Sequence, residues 1–327
     1  MVQTANVFHT MQADLAKVEA RLVAAATIDF PIVSGMVQDL VKAGGKRLRP
    51  LVLLLAGRAY TTDIDALVTA AAGVELLHTA SLVHDDNIDR ASLRRGRPTL
   101  NTSLSSGAVI LIGDYLFAQS AMLAAATESP RVVGIFAASL GDICDGQLRE
   151  MIDSHRVEQS RADYDRRIYG KTASLFAGAA EMGAVLGGAP NDHTAALRAY
   201  GSDLGMAFQI MDDVLDLREE TADLGKPAGN DLLQGTVTLP TMLYAASLRS
   251  DSEDIARLRR IVTGETEDAA EIQATVTAIR QSGAIEAATE AAEIFVASAK
   301  SRLLIVPDSE TASMLAEVAD IALVRSS

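Results

Sequence analysis

Two short stretches place carboxylates where an apolar helix face would otherwise continue. "LLHTASLVHDDNIDR" (76–90) ends in Asp85, Asp86 and Asp89, and "MAFQIMDDVLDLRE" (206–219) ends in Asp212, Asp213 and Asp216. Both read D-D-x-x-D. On a helix, the first and last carboxylates of each triplet share a face about one turn apart. Anions held that close raise one another's pKa unless a cation compensates. Hard oxygen donors suit Mg²⁺, which binds through a few carboxylates, retained waters and the oxygens of a bound phosphate. One isolated copy reads equally well as a solvated helix end. Two copies, each following an apolar helical run, point to metal.

If the ligand is a phosphate ester, cationic groups must complement these carboxylates, and they occur in short clusters beside Gly- or Pro-marked breaks. "GGKRLRP" offers Lys46, Arg47 and Arg49; "RRGRP" offers Arg94, Arg95 and Arg97; "GKTASLF" supplies Lys171 and Thr172; "GKPAGND" supplies Lys226. Each alone reads as a solvated cluster. Together, in an otherwise acidic chain, they point to anionic substrate groups, for which Arg and Lys are natural diphosphate ligands. Two more polar residues share the faces of the acidic motifs. His78 lies seven residues before Asp85, roughly 10 Å back along the same face, and Gln209 lies three before Asp212.

The elements that must position these groups are helices. Of the 327 residues, 49% are hydrophobic but only 4% aromatic, and alanine and leucine dominate. Helical periodicity runs through almost every window. It predicts helices at roughly 5–26, 31–43, 47–60, 63–90, 104–126, 131–152, 161–187, 193–218, 236–248, 252–263, 268–281, 283–303 and 309–324. No segment reads as a linker or low-complexity tract, so the expectation is one compact all-α domain over 1–327, of about a dozen helices. The net charge of −14 argues against general nucleic-acid binding. A single cysteine, Cys144, leaves no intrachain disulfide and suits a reducing compartment. The N-terminus lacks the basic-then-apolar pattern of a secretory signal. The apolar stretches 107–126 and 172–189 are interrupted by Asp114 and Gln119 and by Glu181, which favours buried core helices over membrane spans. A cytoplasmic protein without a transmembrane segment is expected.

Taken in order, "GGKRLRP", "LVHDDNIDRASLRRGRPT", "GKTASLF", "FQIMDDVLD" and "GKPAGNDLLQG" resemble the signatures of the trans-isoprenyl diphosphate synthase (polyprenyl synthetase) family, spread over nearly the whole chain. The resemblance implies an all-α helical bundle of the isoprenoid synthase type around a deep central cavity, usually dimeric, hence an expected homodimer. It also implies an enzyme that adds isopentenyl diphosphate head-to-tail to an allylic diphosphate. By similarity, Asp85, Asp89 and Asp212 would bind three Mg²⁺ ions that hold the allylic diphosphate. Asp86, Asp213 and Asp216 would complete the metal shell or orient its water. Lys46, Arg49, His78 and Arg95 match isopentenyl diphosphate contacts, and Arg94, Lys171 and Lys226 match contacts to the allylic diphosphate. Thr172 and Gln209 match residues whose oxygens face a developing allylic cation. Breaking the allylic C–O bond leaves a carbocation and an anionic diphosphate, which explains the need for metal, Lys and Arg. Thr236 stands where many relatives carry a second lysine, so that phosphate contact is in doubt.

The resemblance also bears on product length. Farnesyl synthases generally have a bulky aromatic just before the first motif, whereas Ala80 and Ser81 are small here, with Leu77, Leu76 and Gly73 deeper and Phe117 or Phe136 as candidate floors. The expectation is an all-trans polyprenyl diphosphate longer than farnesyl, of the type used for quinone side chains, with geranylgeranyl diphosphate as the alternative. A class I terpene synthase, or a noncatalytic partner subunit of a heteromeric synthase, are the rival readings. The paired motifs and Lys46, Arg49 and Arg95 favour a condensing enzyme over both.

Overall fold

Apart from one short hairpin, regular structure among the described residues is helical, as the composition requires. The computed structural model describes residues 6–94, 96–218 and 229–324. In chain order the helices are α1 (Asn6–Ala25), α2 (Pro31–Lys42), α3 (Leu48–Arg58), α4 (Asp65–Ile88), α5 (Ser106–Ala125), α6 (Pro130–Asp153), α7 (Arg161–Ile168), α8 (Ser174–Gly187), α9 (Asn191–Arg218), α10 (Asn230–Leu233), α11 (Leu239–Ser247), α12 (Glu253–Val262), α13 (Ala269–Gln281), α14 (Ala284–Arg302) and α15 (Ser309–Leu323). Most lie within a few residues of the predicted spans. Several features were not predicted, among them the four-residue α10, which lies in a stretch that reads as a break. A two-residue antiparallel hairpin, Leu93–Arg94 with Arg97–Pro98, turns at Gly96 with φ +72°, and a π-helical turn, Tyr169–Ala173, interrupts the single predicted helix 161–187.

The chain divides into two compact units. One comprises Met1–Gly141, Leu175–Ser202 and Ala299–Ala319; the other comprises Asp142–Ser174, Asp203–Ser298 and Asp320–Ser327. In the first, α3 is buried along Leu48 to Gly57, as expected of a helix that is apolar on every side. Helices α1, α3 and α5 all pack on α4. Glycines allow α3 and α8 to meet closely: a Cβ on Gly183 would sit 2.2 Å from the Leu53 carbonyl oxygen. By length and composition, α4 and α5 are apolar enough to cross a membrane, but most of α4 is buried inside the protein. The apolar stretch of α5 is only 33% buried, and Ile110, Leu111 and Met122 are exposed on it.

The second unit holds α7, the π-turn and α10 to α13. Its helix starts follow local chemistry. Ser160 accepts a hydrogen bond from the Asp163 N–H at α7, Ser252 from Ile255 at α12, and Asp268 from Ala270 at α13, each satisfying an otherwise orphaned donor.

Candidate active site

The first acidic motif ends α4, and the fold separates its three carboxylates. Asp85 is half-buried and Asp89, which caps the helix, is exposed. Asp86 is buried and accepts a 2.6 Å hydrogen bond from Arg94 Nε, while Asn101 Nδ2 donates to its main-chain oxygen over 2.7 Å. Thus Arg94, placed by the hairpin after α4, closes back on the middle carboxylate of the motif. His78 and Ser81 are half-buried on the same helix, in register with Asp85. The next stripe, Gly73, Leu77, Ala80 and His84, lies toward α5: Gly73 approaches Ser120 and Leu123, and the His84 ring meets Phe117 edge-to-face at 5.0 Å.

The basic cluster before α3 is split in the same way. Lys46 is exposed and Arg49 is buried, its guanidinium 4.4 Å from the centre of the Phe176 ring. Arg47 between them, in a left-handed conformation with φ +52°, is buried and donates to Glu75 of α4, to Glu19 of α1 and to the Val41 carbonyl. Burial alone would lower the Arg47 pKa, but bonding to Glu19 and Glu75 holds it raised.

The second acidic motif lies on α9, in the other unit, and repeats the pattern. Asp212 and Asp216 are half-buried, whereas Asp213 is buried and accepts from Tyr164 Oη over 2.7 Å and from Gln209 Nε2 over 2.9 Å. Burial pushes the Asp213 carboxyl up from the usual range; the Tyr164 and Gln209 hydrogen bonds and the Arg167 charge oppose that rise, and Asp212 adds to it. Thr172 Oγ1 donates to Gln209 Oε1 over 2.7 Å.

Lys171 and Thr172 lie in the π-turn, and two glycines fix its place. A Cβ on Gly146 of α6 would come within 2.2 Å of the Lys171 backbone nitrogen, and one on Gly170 within 2.7 Å of the Asp142 carbonyl oxygen. That close crossing brings Glu150, one turn beyond Gly146, against Lys171 as an ion pair.

Asp216 has a further neighbour that the motif does not contain. The Asp231 backbone N–H donates to Asp216 Oδ2 over 3.2 Å, and the Gly229 N–H to the Asp216 carbonyl over 3.0 Å. Burial, and then the Asp216, Asp213 and Glu150 charges, hold the Asp231 carboxyl well above its usual range. Asp231 stands in the quoted stretch "GKPAGNDLLQG", whose acidic member was not singled out. Glu150 and Tyr164 carried no local signal, because their partners lie 21 and 49 residues away. Thr236 is half-buried, its backbone N–H bonded to the Asp231 carbonyl. Arg95 and Lys226 lie outside the described residues.

Among the described residues, no three Asp, Glu, His or Cys side chains are already gathered as a metal cage. The donor chemistry nevertheless fits Mg²⁺. Each motif offers outer carboxylates one turn apart and not fully buried, and Mg²⁺ commonly takes only one or two protein carboxylates, completing its shell with water and phosphate oxygens.

Residues 30–279 match the polyprenyl synthetase family. Over 306 residues, 94% of each chain, the sequence is 39% identical to component 2 of the heptaprenyl diphosphate synthase of Geobacillus stearothermophilus. It is 34% identical over 314 residues to the octaprenyl diphosphate synthase of Haemophilus influenzae, covering 95% of this chain and 94% of that one. A crystal structure of a polyprenyl synthase from Caulobacter crescentus, complexed with calcium and isoprenyl diphosphate, superposes with a TM-score of 0.94 at 35% identity, covering 99% of this chain and 98% of that one. A decaprenyl diphosphate synthase from Rhodobacter capsulatus gives 0.92 at 33% identity, covering 99% and 100%.

Proposed function

The chain belongs to the polyprenyl synthetase family of all-α prenyltransferases, and from that premise we propose that it is a Mg²⁺-dependent synthase condensing isopentenyl diphosphate with an allylic diphosphate. The observation that carries the reading is the shared pattern of the two acidic motifs. In each, the middle carboxylate is buried and bonded within the protein, while the outer two are less buried.

In this proposal Asp85, Asp89 and Asp212 would hold three Mg²⁺ ions, with Asp216 and the bonded Asp86 shaping the shell. Bound Mg²⁺ supplies neutralisation of the diphosphate and stabilises it as a leaving group. Lys171, Arg94 and Lys226 bind that diphosphate, and Lys171 must exchange its Glu150 contact for the ligand. Lys46, Arg49, His78 and Arg95 bind isopentenyl diphosphate. Its double bond forms the new C–C bond to the allylic carbon as the C–O bond breaks. The resulting cation then loses a proton to the departed diphosphate. Thr172 and Gln209 present oxygen lone pairs toward the allylic cation.

The product is a medium- or long-chain all-trans polyprenyl diphosphate. The small residues Ala80 and Ser81, and relatives named for heptaprenyl, octaprenyl and decaprenyl products, support this over geranylgeranyl diphosphate. We further propose a single working domain over 1–327, a cytoplasmic location and a homodimer. The exposed apolar side chains of α5 support a partner surface. A second reading has one specific support: a relative named as component 2 of its synthase suggests a different partner chain in place of a second copy.

Incubating the purified chain alone with Mg²⁺, isopentenyl diphosphate and farnesyl or geranylgeranyl diphosphate, then sizing the products, tests the proposal. Elongated product is expected. No product from the chain alone, with activity restored by a second component, would establish the heteromeric reading. Cyclised hydrocarbon without uptake of isopentenyl diphosphate would establish a terpene synthase.

A further inference from the structure

Four side chains in the second unit form one continuous hydrogen-bonded row: Tyr164 Oη to Asp213 Oδ2 at 2.7 Å, Gln209 Nε2 to Asp213 Oδ1 at 2.9 Å, and Thr172 Oγ1 to Gln209 Oε1 at 2.7 Å. In this arrangement both carboxyl oxygens of Asp213 accept, one from the Tyr164 hydroxyl and one from the Gln209 amide nitrogen. That condition removes a freedom which an amide otherwise has. The Gln209 side chain cannot turn its nitrogen outward without placing its oxygen against the Asp213 carboxylate. With Nε2 committed inward, Oε1 faces Thr172 and accepts its hydroxyl proton. The Thr172 hydroxyl, its proton given to Gln209, can then act only as an acceptor toward any other group.

From this row we propose that Asp213 is a positioning residue that sets the electrostatic polarity of the catalytic face. By accepting from Gln209 it fixes the amide with its negative end outward, and Tyr164 holds Asp213 in the orientation that does so. The inference rests on the reaction proposed above, in which Gln209 and Thr172 face the allylic cation. A reversed amide would aim N–H groups at a developing positive charge, raising the barrier to ionisation while leaving diphosphate binding intact.

The burial of the row supports this role. Tyr164 is fully buried, and Asp213 and Thr172 are nearly so. Arg167, also buried, lies with its guanidinium 5.5 Å from the centre of the Tyr164 ring and is itself held by Gln159 and the Val237 carbonyl, so the ring has a fixed neighbour on that side. With Gln209 half-buried and the other three members buried, hydrogen-bond direction in the row is set chiefly by donor and acceptor complementarity.

The test is a polarity exchange. Asp213→Asn introduces a group that both donates and accepts, so the orientation of Gln209 is no longer dictated. It is expected to lower kcat by about 10- to 100-fold, with KM for both diphosphates within about twofold of the parent. Adding Gln209→Glu restores a single polarity, because a carboxylate at 209 can only accept from the new amide and keeps its other oxygen toward Thr172. The double variant is therefore expected to turn over at least about 3-fold faster than Asp213→Asn alone. Tyr164→Phe, which leaves every charge in place, is expected to lower kcat by about 3- to 10-fold without changing KM, and it carries the test if Asp213→Asn does not fold. Unchanged kcat in Asp213→Asn or Tyr164→Phe, a loss confined to KM, or a double variant no faster than the single one, would overturn the inference while the parent still makes product. A parent chain that makes no product would instead overturn the reaction itself, and this role with it.

Discussion

Arg47 donates to Glu75 over 2.8 Å, with both side chains almost wholly buried. This bond joins the residue before α3 to the middle of α4, one turn ahead of His78. Lys46 and Arg49 therefore flank a residue tied to the helix that carries the first acidic motif.

Removing one partner of such a pair leaves a buried charge without compensation. Arg47→Ala is expected to destabilise the protein by about 3–5 kcal/mol, read as a lower midpoint in urea. Glu75→Gln keeps the shape and a hydrogen-bond acceptor, so it should cost less. Folded Glu75→Gln protein should show a raised KM for isopentenyl diphosphate with the allylic KM unchanged. A shift in both would detach the pair from that subsite.

The outer aspartates are expected to behave differently from the middle ones. Asp85→Ala and Asp212→Ala should each lower condensation by at least about 100-fold, with helical circular dichroism intact, because their side chains are only half-buried. Asp86→Asn, which can still accept from Arg94 Nε, should lose less. Wild-type turnover by either alanine variant at saturating Mg²⁺ would remove it from the proposed metal set.

Lys46 is exposed, whereas Lys171 is held by Glu150 in the π-turn. Lys46→Ala and Arg49→Ala should mainly raise KM for isopentenyl diphosphate, and Lys171→Ala should lower kcat by impairing allylic ionisation. Steady-state kinetics varying each substrate separates the two. Equal effects of all three on both substrates would defeat this division of labour without touching the reaction class.

Ser81 and Ala80 differ in environment although they are adjacent. Ser81 is half-buried in register with His78 and Asp85, while Ala80 is fully buried on the stripe toward α5. Ser81→Phe and Ala80→Phe should both shorten the product while preserving the first condensation. Ala80→Phe should carry an added stability loss of about 1–3 kcal/mol from overpacking. Product sizing and urea unfolding report the two effects, and unchanged chain length in both variants would defeat the proposed path of the growing tail along α4.

Composition and helical period were enough to make the chain all-α, to place most helices within a few residues, and to put Asp85 with Asp89 and Asp212 with Asp216 on common faces. These are local properties, fixed by 3.6 residues per turn and legible in any window of the chain. The order of the basic and acidic signatures was enough for the family. The partner of each functional side chain was not legible. That Arg94 closes on Asp86, Tyr164 and Gln209 on Asp213, Glu150 on Lys171 and Arg47 on Glu75 depends on how separate helices and turns meet. The π-turn under Lys171 depends likewise on a close approach to Gly146 of α6, 25 residues before that lysine. In both acidic motifs the sequence offers equivalent aspartates, and only burial within the tertiary fold distinguishes the middle carboxylate, which must be bonded inside the protein, from the less buried outer ones.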